Sequence, residues 1–303
     1  MLTIFSTPKP FRGHIDVTQR NALQSWTLLH PEIEVLLFGD EEGAAEVSAE
    51  FGLRHEPRVE RSPHGAKYLN YLFERAQQLA RHDLLCYANC DILLMADFQA
   101  AVERVSRWRK NFLMVGQRWD VDITEPCNFE QPDWQSGLRA MALQRGELRA
   151  THTVDYFVFP RGLYRNIPPL MIGRIWWDHW LIWKARSQKA AVVDSSPAVV
   201  AVHQNHDYSY HPQGTEGVYR GEEARRNYEL AAEGRHLCTI EDATHRLSPG
   251  GAIRRTPLRK ELFVAGNFLW EVLIHRTFPL RKRLGMRRET WRRTFKGDSV
   301  SRA

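Results

Sequence analysis

Short apolar runs alternate with amphipathic stretches through the first half of the chain, and each run stops at a polar or glycine-containing turn. Residues 2–5 read as a strand, followed by a Pro/Gly loop over 7–13. Asp16 or Thr18 could cap a helix that places Ala22, Leu23, Trp26 and Leu29 on one side, with Pro31 ending it. A second strand over 34–38 stops at Gly39-Asp40, and a short helix follows with Gly52 as its C-terminal stop. After a loop over 57–65, Tyr68, Leu72, Ala76 and Leu79 recur at helical spacing within 67–81. Residues 84–88 are a continuous apolar run, hence a buried strand, ending at Asn89-Cys90-Asp91. Further on, 97–110 predicts a helix, 112–116 a strand, and 119–133 an acidic, aromatic loop. Residues 154–160 predict a strand headed by Asp155-Tyr156, and 173–187 a helix entry carrying Trp176-Trp177-Asp178-His179-Trp180. Residues 198–202 predict a strand ending in His203-Gln204-Asn205-His206-Asp207, and beyond about residue 245 the alternation fades.

Strands alternating with helices of this length predict an α/β fold, a three-layer α/β/α sandwich around a mainly parallel sheet. Ligands bind such sheets at the carboxyl ends of the strands. The loop after the first strand, Asp40 and the Asn89-Cys90-Asp91 group occupy three such ends, which converge on one edge.

Composition narrows the class. A chain of 303 residues with 43% apolar and 11% aromatic residues can bury a sizeable core and is not a disordered chain. Mean hydropathy is -0.47, and no apolar run approaches the ~18 residues of a membrane-spanning helix. No secretory leader is visible at the start, and the four cysteines form no CxxC pair; both fit a cytoplasmic protein with reduced thiols. The net charge of +6 is unevenly placed: residues 281–296 alone carry +7. Without that segment, 34 basic and 35 acidic residues remain, a net of -1. A neutral body argues against nucleic acid as a partner. The apolar block at Phe263, Phe268, Leu269, Trp270, Leu273 and Ile274 precedes this basic run. Together they resemble an anchor for an anionic membrane surface, on the inner face of the membrane. The expected division is a catalytic domain over 1–245 and a helical, basic extension over 246–303.

Asn89-Cys90-Asp91, placed after a buried strand and before Ile92-Leu93-Leu94, resembles the Asp-x-Asp motif of the GT-A class of glycosyltransferases, found in bacteria among others. The resemblance covers about residues 1–210. It implies a nucleotide-diphosphate sugar as donor, with Asp91 binding Mn2+ or Mg2+ across the diphosphate. Asn89 stands where the class carries its first acid, and would contact ribose or water. A hard cation held by oxygen ligands suits a leaving group that gains negative charge. The class often draws a second metal ligand from a late strand end, which points to His203 first and His206 second. A zinc reading of His203, His206 and His211 lacks a cysteine pair or an HExxH helix.

Trp177-Asp178-His179-Trp180 resembles the helix-start acid that inverting members use as general base. Such a group takes the proton of the acceptor hydroxyl as its oxygen attacks the anomeric carbon. Asp155 is the rival for that role, and Tyr156 and Trp177 are candidates for sugar contact. Thr7 and Asp40 are the expected nucleotide contacts. The acceptor could be a glycan, a lipid-linked molecule or a small molecule, and the implied activity is hexosyltransferase-type. Two other classes remain open. One is a sugar-1-phosphate nucleotidyltransferase, although the first loop has only Lys9, Arg12 and Gly13 where that class is glycine-rich. The other is a non-catalytic sugar- or nucleotide-binding module, which Asn89 keeps in view. No Walker A sequence, GxGxxG or GxSxG is present.

Overall fold

In the computed structural model, residues 1–206 and 214–256 are described. The elements in chain order are β1 (Leu2–Ser6), α1 (Gly13–Thr27), β2 (Glu34–Phe38), α2 (Ala44–Glu50), β3 (Arg54–Glu56), α3 (Leu69–Leu79), β4 (Leu84–Ala88) and β5 (Ile92–Leu93). Then come α4 (Ala96–Trp108), β6 (Phe112–Val115), β7 (Arg118–Val121), α5 (Trp134–Arg145), β8 (Glu147–Leu148), β9 (Tyr156–Pro160), α6 (Trp177–Ser187) and β10 (Ala191–Asp194). The described part closes with β11 (Ala201–Gln204), α7 (Gly214–Arg220), α8 (Glu222–Leu230), β12 (His245–Leu247) and β13 (Ile253–Arg255).

Nine strands form one sheet in the order β13-β12-β10-β6-β9-β4-β1-β2-β3. It is mainly parallel: β3, β2, β1 and β4 run together, as do β6, β10 and β12. β9 lies between β4 and β6 and runs against both. The sequence explains the parallel part, since Leu84–Ala88 is apolar at every position and packs on both faces. Alternate side chains divide between two apolar layers. Phe5, Tyr87, Phe157 and Phe159 meet Phe73 of α3 and Trp177 of α6 on one face. Ile4, Leu37, Cys86 and Val158 meet Trp26 of α1 and Phe98 of α4 on the other. The α/β/α sandwich expected from the alternation is therefore present.

A second, four-stranded sheet runs β5-β11-β7-β8. Here the structure corrects the reading of 119–133 as loop, because Arg118–Val121 is a strand. Arg118 and Asp120 alternate with Trp119 and Val121, which pack on a third apolar cluster with Leu93, Leu138 and Val202. The strand expected over 198–202 is β11, shifted toward the histidine, and it belongs to this small sheet. β12 and β13 extend the large sheet to Arg255, past the expected end of the catalytic domain at residue 245. The apolar block and the basic run at 281–296 lie outside the described residues, as do Asp207 and His211. No helix of the described residues is long and apolar enough to cross a membrane.

Candidate active site

The C-terminal ends of β1 and β4, the start of β9 and the small sheet enclose a cleft of ≈ 1140 Å³. Every parallel strand delivers its following turn to that edge. The antiparallel β9 delivers its preceding residue, Asp155, to the same place. The small sheet is set across the end of β4, because β5 follows Asp91 directly and pairs with β11. His203 thereby reaches the turn that carries Asp91, 112 residues earlier in the chain.

Asp91, His203 and His206 form a cluster whose ligand atoms all lie within 4.8 Å of one another. Asp91 Oδ2 is 3.1 Å from His206 Nε2 and 4.0 Å from His203 Nε2. Asp91 Oδ1 is buried and has no hydrogen-bond partner among the described residues. An unsatisfied buried carboxylate oxygen is costly unless a cation or donor completes it. Burial alone would raise the Asp91 pKa. The His206 contact and the charges of His203 and Lys9 outweigh it and hold the group below its ordinary range. It is therefore an anion at any physiological pH. One carboxylate with two imidazoles fits a divalent metal such as Mn2+.

Cations flank the cluster. Lys9 Nζ is 3.9 Å from Asp91 Oδ2 and 3.0 Å from His206 Nε2. Its backbone is gripped by buried Gln19, whose Oε1 accepts from Lys9 N at 2.6 Å while Nε2 donates to Lys9 O at 2.9 Å. Arg118 donates from Nε to Asp120 Oδ1 at 2.7 Å and from Nη1 to Asp155 Oδ2 at 2.8 Å. Asn89 Nδ2 donates to the other Asp155 oxygen at 2.5 Å. Asp155, 5% exposed, thus has both oxygens committed, one to each neighbour. The same contact accounts for Asn89: an acid there would face Asp155 and repel it, whereas an amide donates to it.

Asp178 sits in the first turn of α6 and lines the cleft. Burial, with a smaller contribution from Asp155, pushes its carboxyl above the ordinary range, against the pull of His179 and backbone N–H groups. The residue before the helix, Trp176, adopts a left-handed conformation with φ 86. A bulky residue held there marks a constrained turn at the cleft wall.

At the first-loop end, Lys67 Nζ pairs with Glu41 Oε1 at 2.5 Å and donates to Pro8 O at 2.9 Å. Burial lowers the Lys67 pKa to about 8. Thr7 Oγ1 and Glu41 Oε2 are buried without hydrogen-bond partners among the described residues.

Thr7, Asn89, Asp91, Asp155, Trp177, Asp178, His203 and His206 all line this cleft. Two expected nucleotide or sugar contacts do not. Asp40 points to solvent, 71% exposed, and bonds Arg61 at 2.5 Å; its neighbour Glu41 faces the cleft instead. Tyr156 is fully buried against Phe98 and shares a 2.8 Å hydrogen bond with Ser195, because strand alternation turns it to the face opposite Phe157. Sequence reasoning missed Arg118, Asp120, Glu41 and Lys67. The alternation Arg118-Trp119-Asp120-Val121 was the signal available for the first two, obscured by the polar run that follows.

No family model matches the chain, and no curated protein matches it. Among solved structures, it is similar to glucosyl-3-phosphoglycerate synthase of Mycobacterium tuberculosis bound to Mg2+ and UDP, with 12% identity and a TM-score of 0.48 over 85% of this chain and 87% of that one. It is also similar to a mycobacterial protein, with 14% identity and a TM-score of 0.48 over 78% and 75% of the two chains. The S. aureus protein TarS, residues 1–349 with UDP-GlcNAc, is similar with 7% identity and a TM-score of 0.45 over 69% and 60%. At such identities, function has to be argued from the residues of the site.

Proposed function

We propose that this chain is a metal-dependent glycosyltransferase, hexosyltransferase-type, that moves a sugar from a nucleotide-diphosphate donor to an acceptor hydroxyl with inversion. The observation that carries the reading is the Asp91-His203-His206 cluster, with its unpartnered carboxylate oxygen, at the strand ends of a cleft large enough for a nucleotide sugar. A divalent metal held there supplies positive charge to the departing diphosphate. Lys9 and Arg118 add cationic charge on the same side, which suits a diphosphate leaving group that gains negative charge as it departs. The same donor set serves Fe(II) in oxygenases of other folds, but those flanking cations favour a phosphorylated ligand.

Asp178 is the proton acceptor in this scheme. Its carboxylate takes the acceptor hydroxyl proton, the acceptor oxygen bonds to the anomeric carbon, and the bond from that carbon to the diphosphate breaks with its electron pair leaving on phosphate oxygen. Asp155 is better suited to holding Arg118 than to acting as base, given its two fixed contacts. We assign Thr7 and Glu41 to nucleoside contact, Thr7 as donor or acceptor and Glu41 as acceptor, because both line the cleft with a buried oxygen that has no partner among the described residues.

Release of UDP from UDP-sugars in the presence of Mn2+ tests the reading. The expected result is turnover by the wild type and a loss of at least ~100-fold in Asp91→Ala, in line with the loss of a transition-state charge partner. Equal rates in the two proteins would contradict it.

A further inference from the structure

We propose that Asp120 is a positioning residue that orients His203 for metal binding, an inference that rests on the metal reading above. His203 and Asp120 are direct cross-strand partners in the register of β11 and β7, so their side chains share one face of the small sheet. His203 Nδ1 is buried without an aligned hydrogen bond among the described residues, and Asp120 Oδ1 lies 3.1 Å from it. His203 Nε2 is thereby turned toward Asp91. A carboxylate at Nδ1 selects the Nδ1–H tautomer and leaves the Nε2 lone pair for a cation.

Asp120 is itself fixed. Arg118 Nε donates to its Oδ1 at 2.7 Å, and Arg149 Nε approaches Oδ2 at 3.4 Å. Arg118 reaches on to Asp155, and Asp155 to Asn89. A continuous polar chain therefore runs from Asn89, two residues before Asp91, around to His203 on the far side of the cluster. Both ends of the metal site are braced by one network, and Asp120 is the link that touches a ligand. Against an alternative role as a fourth metal ligand, Asp120 meets His203 at Nδ1, on the side of the ring away from Nε2.

The test uses the full chain and Mn2+ alone, with affinity read by electron paramagnetic resonance or calorimetry. Asp120→Asn is expected to weaken Mn2+ binding by about 10–100-fold, the usual effect of removing such an outer partner. Its affinity for uridine, which has no phosphate, should stay unchanged. Asp120→Glu should restore part of the loss. In nitrogen-15 NMR of the wild type without metal, His203 should be the Nδ1–H tautomer. Wild-type Mn2+ affinity in Asp120→Asn overturns the positioning role while leaving the metal site standing. A wild-type Nε2–H tautomer overturns it even if the variant does not fold. A wild type that binds no Mn2+ overturns the metal reading and this inference together.

Discussion

Among single residues, Asp178 gives the sharpest expectation. Burial raises its pKa above the ordinary 3.8 of an aspartate. A base acts only when deprotonated, so activity should rise with pH through this raised value and level off above it. Asp178→Asn should lower kcat by ~10²–10⁴-fold and remove that acid limb. A variant that keeps both the limb and the rate would assign the proton to another group. Several of these residues were legible in the chain itself. Asp91 lies in the short turn that ends the apolar run 84–88, His203 directly follows an apolar run, and Asp178 sits among aromatics at a helix start. Asp40 was misleading for a simple reason. In Gly39-Asp40-Glu41 the sequence does not say which acid turns inward, and the answer depends on Lys67, which lies just before α3 and about 26 residues after Glu41.

Elements with strong local periodicity were legible and those stabilised by distant contacts were not. β2 and β4 coincide with their apolar runs, whose two faces are buried by the two helix layers. β7 is four residues long with only Val121 fully buried, so its strand character comes from pairing with β11. α8 is likewise held by tertiary contacts. Its Asn227 is fully buried, accepts from Met171 N at 2.8 Å, and donates to Met171 O and Ile175 O at 2.9 and 3.0 Å. Buried Glu223 of the same helix pairs with Arg174 at 2.6 Å and bonds Ser62. These contacts tie α8 to the segment that leads into α6 and Asp178. Asn227→Ala should cost about 2–4 kcal/mol, since three buried backbone groups lose their partner. Thermal unfolding would read this as a midpoint several degrees lower; an unchanged midpoint would show that α8 does not brace this wall.

On the scale of the whole molecule, the layered fold followed from the alternation of strands and helices, and the site followed from where parallel strands end. What the alternation could not give is the second sheet, which crosses the end of β4 and brings His203 to Asp91. That crossing brings two imidazoles to a strand-end acid, and the proposed metal site depends on it. The most direct test is calorimetry of UDP binding with and without Mn2+, in the wild type and in Asp91→Ala. The prediction is that Mn2+ tightens UDP binding at least ~10-fold in the wild type, about 1.4 kcal/mol, and has no effect in the variant. An equal Mn2+ effect in both proteins, or none in the wild type, would contradict the proposal that Asp91 would hold a metal serving the diphosphate.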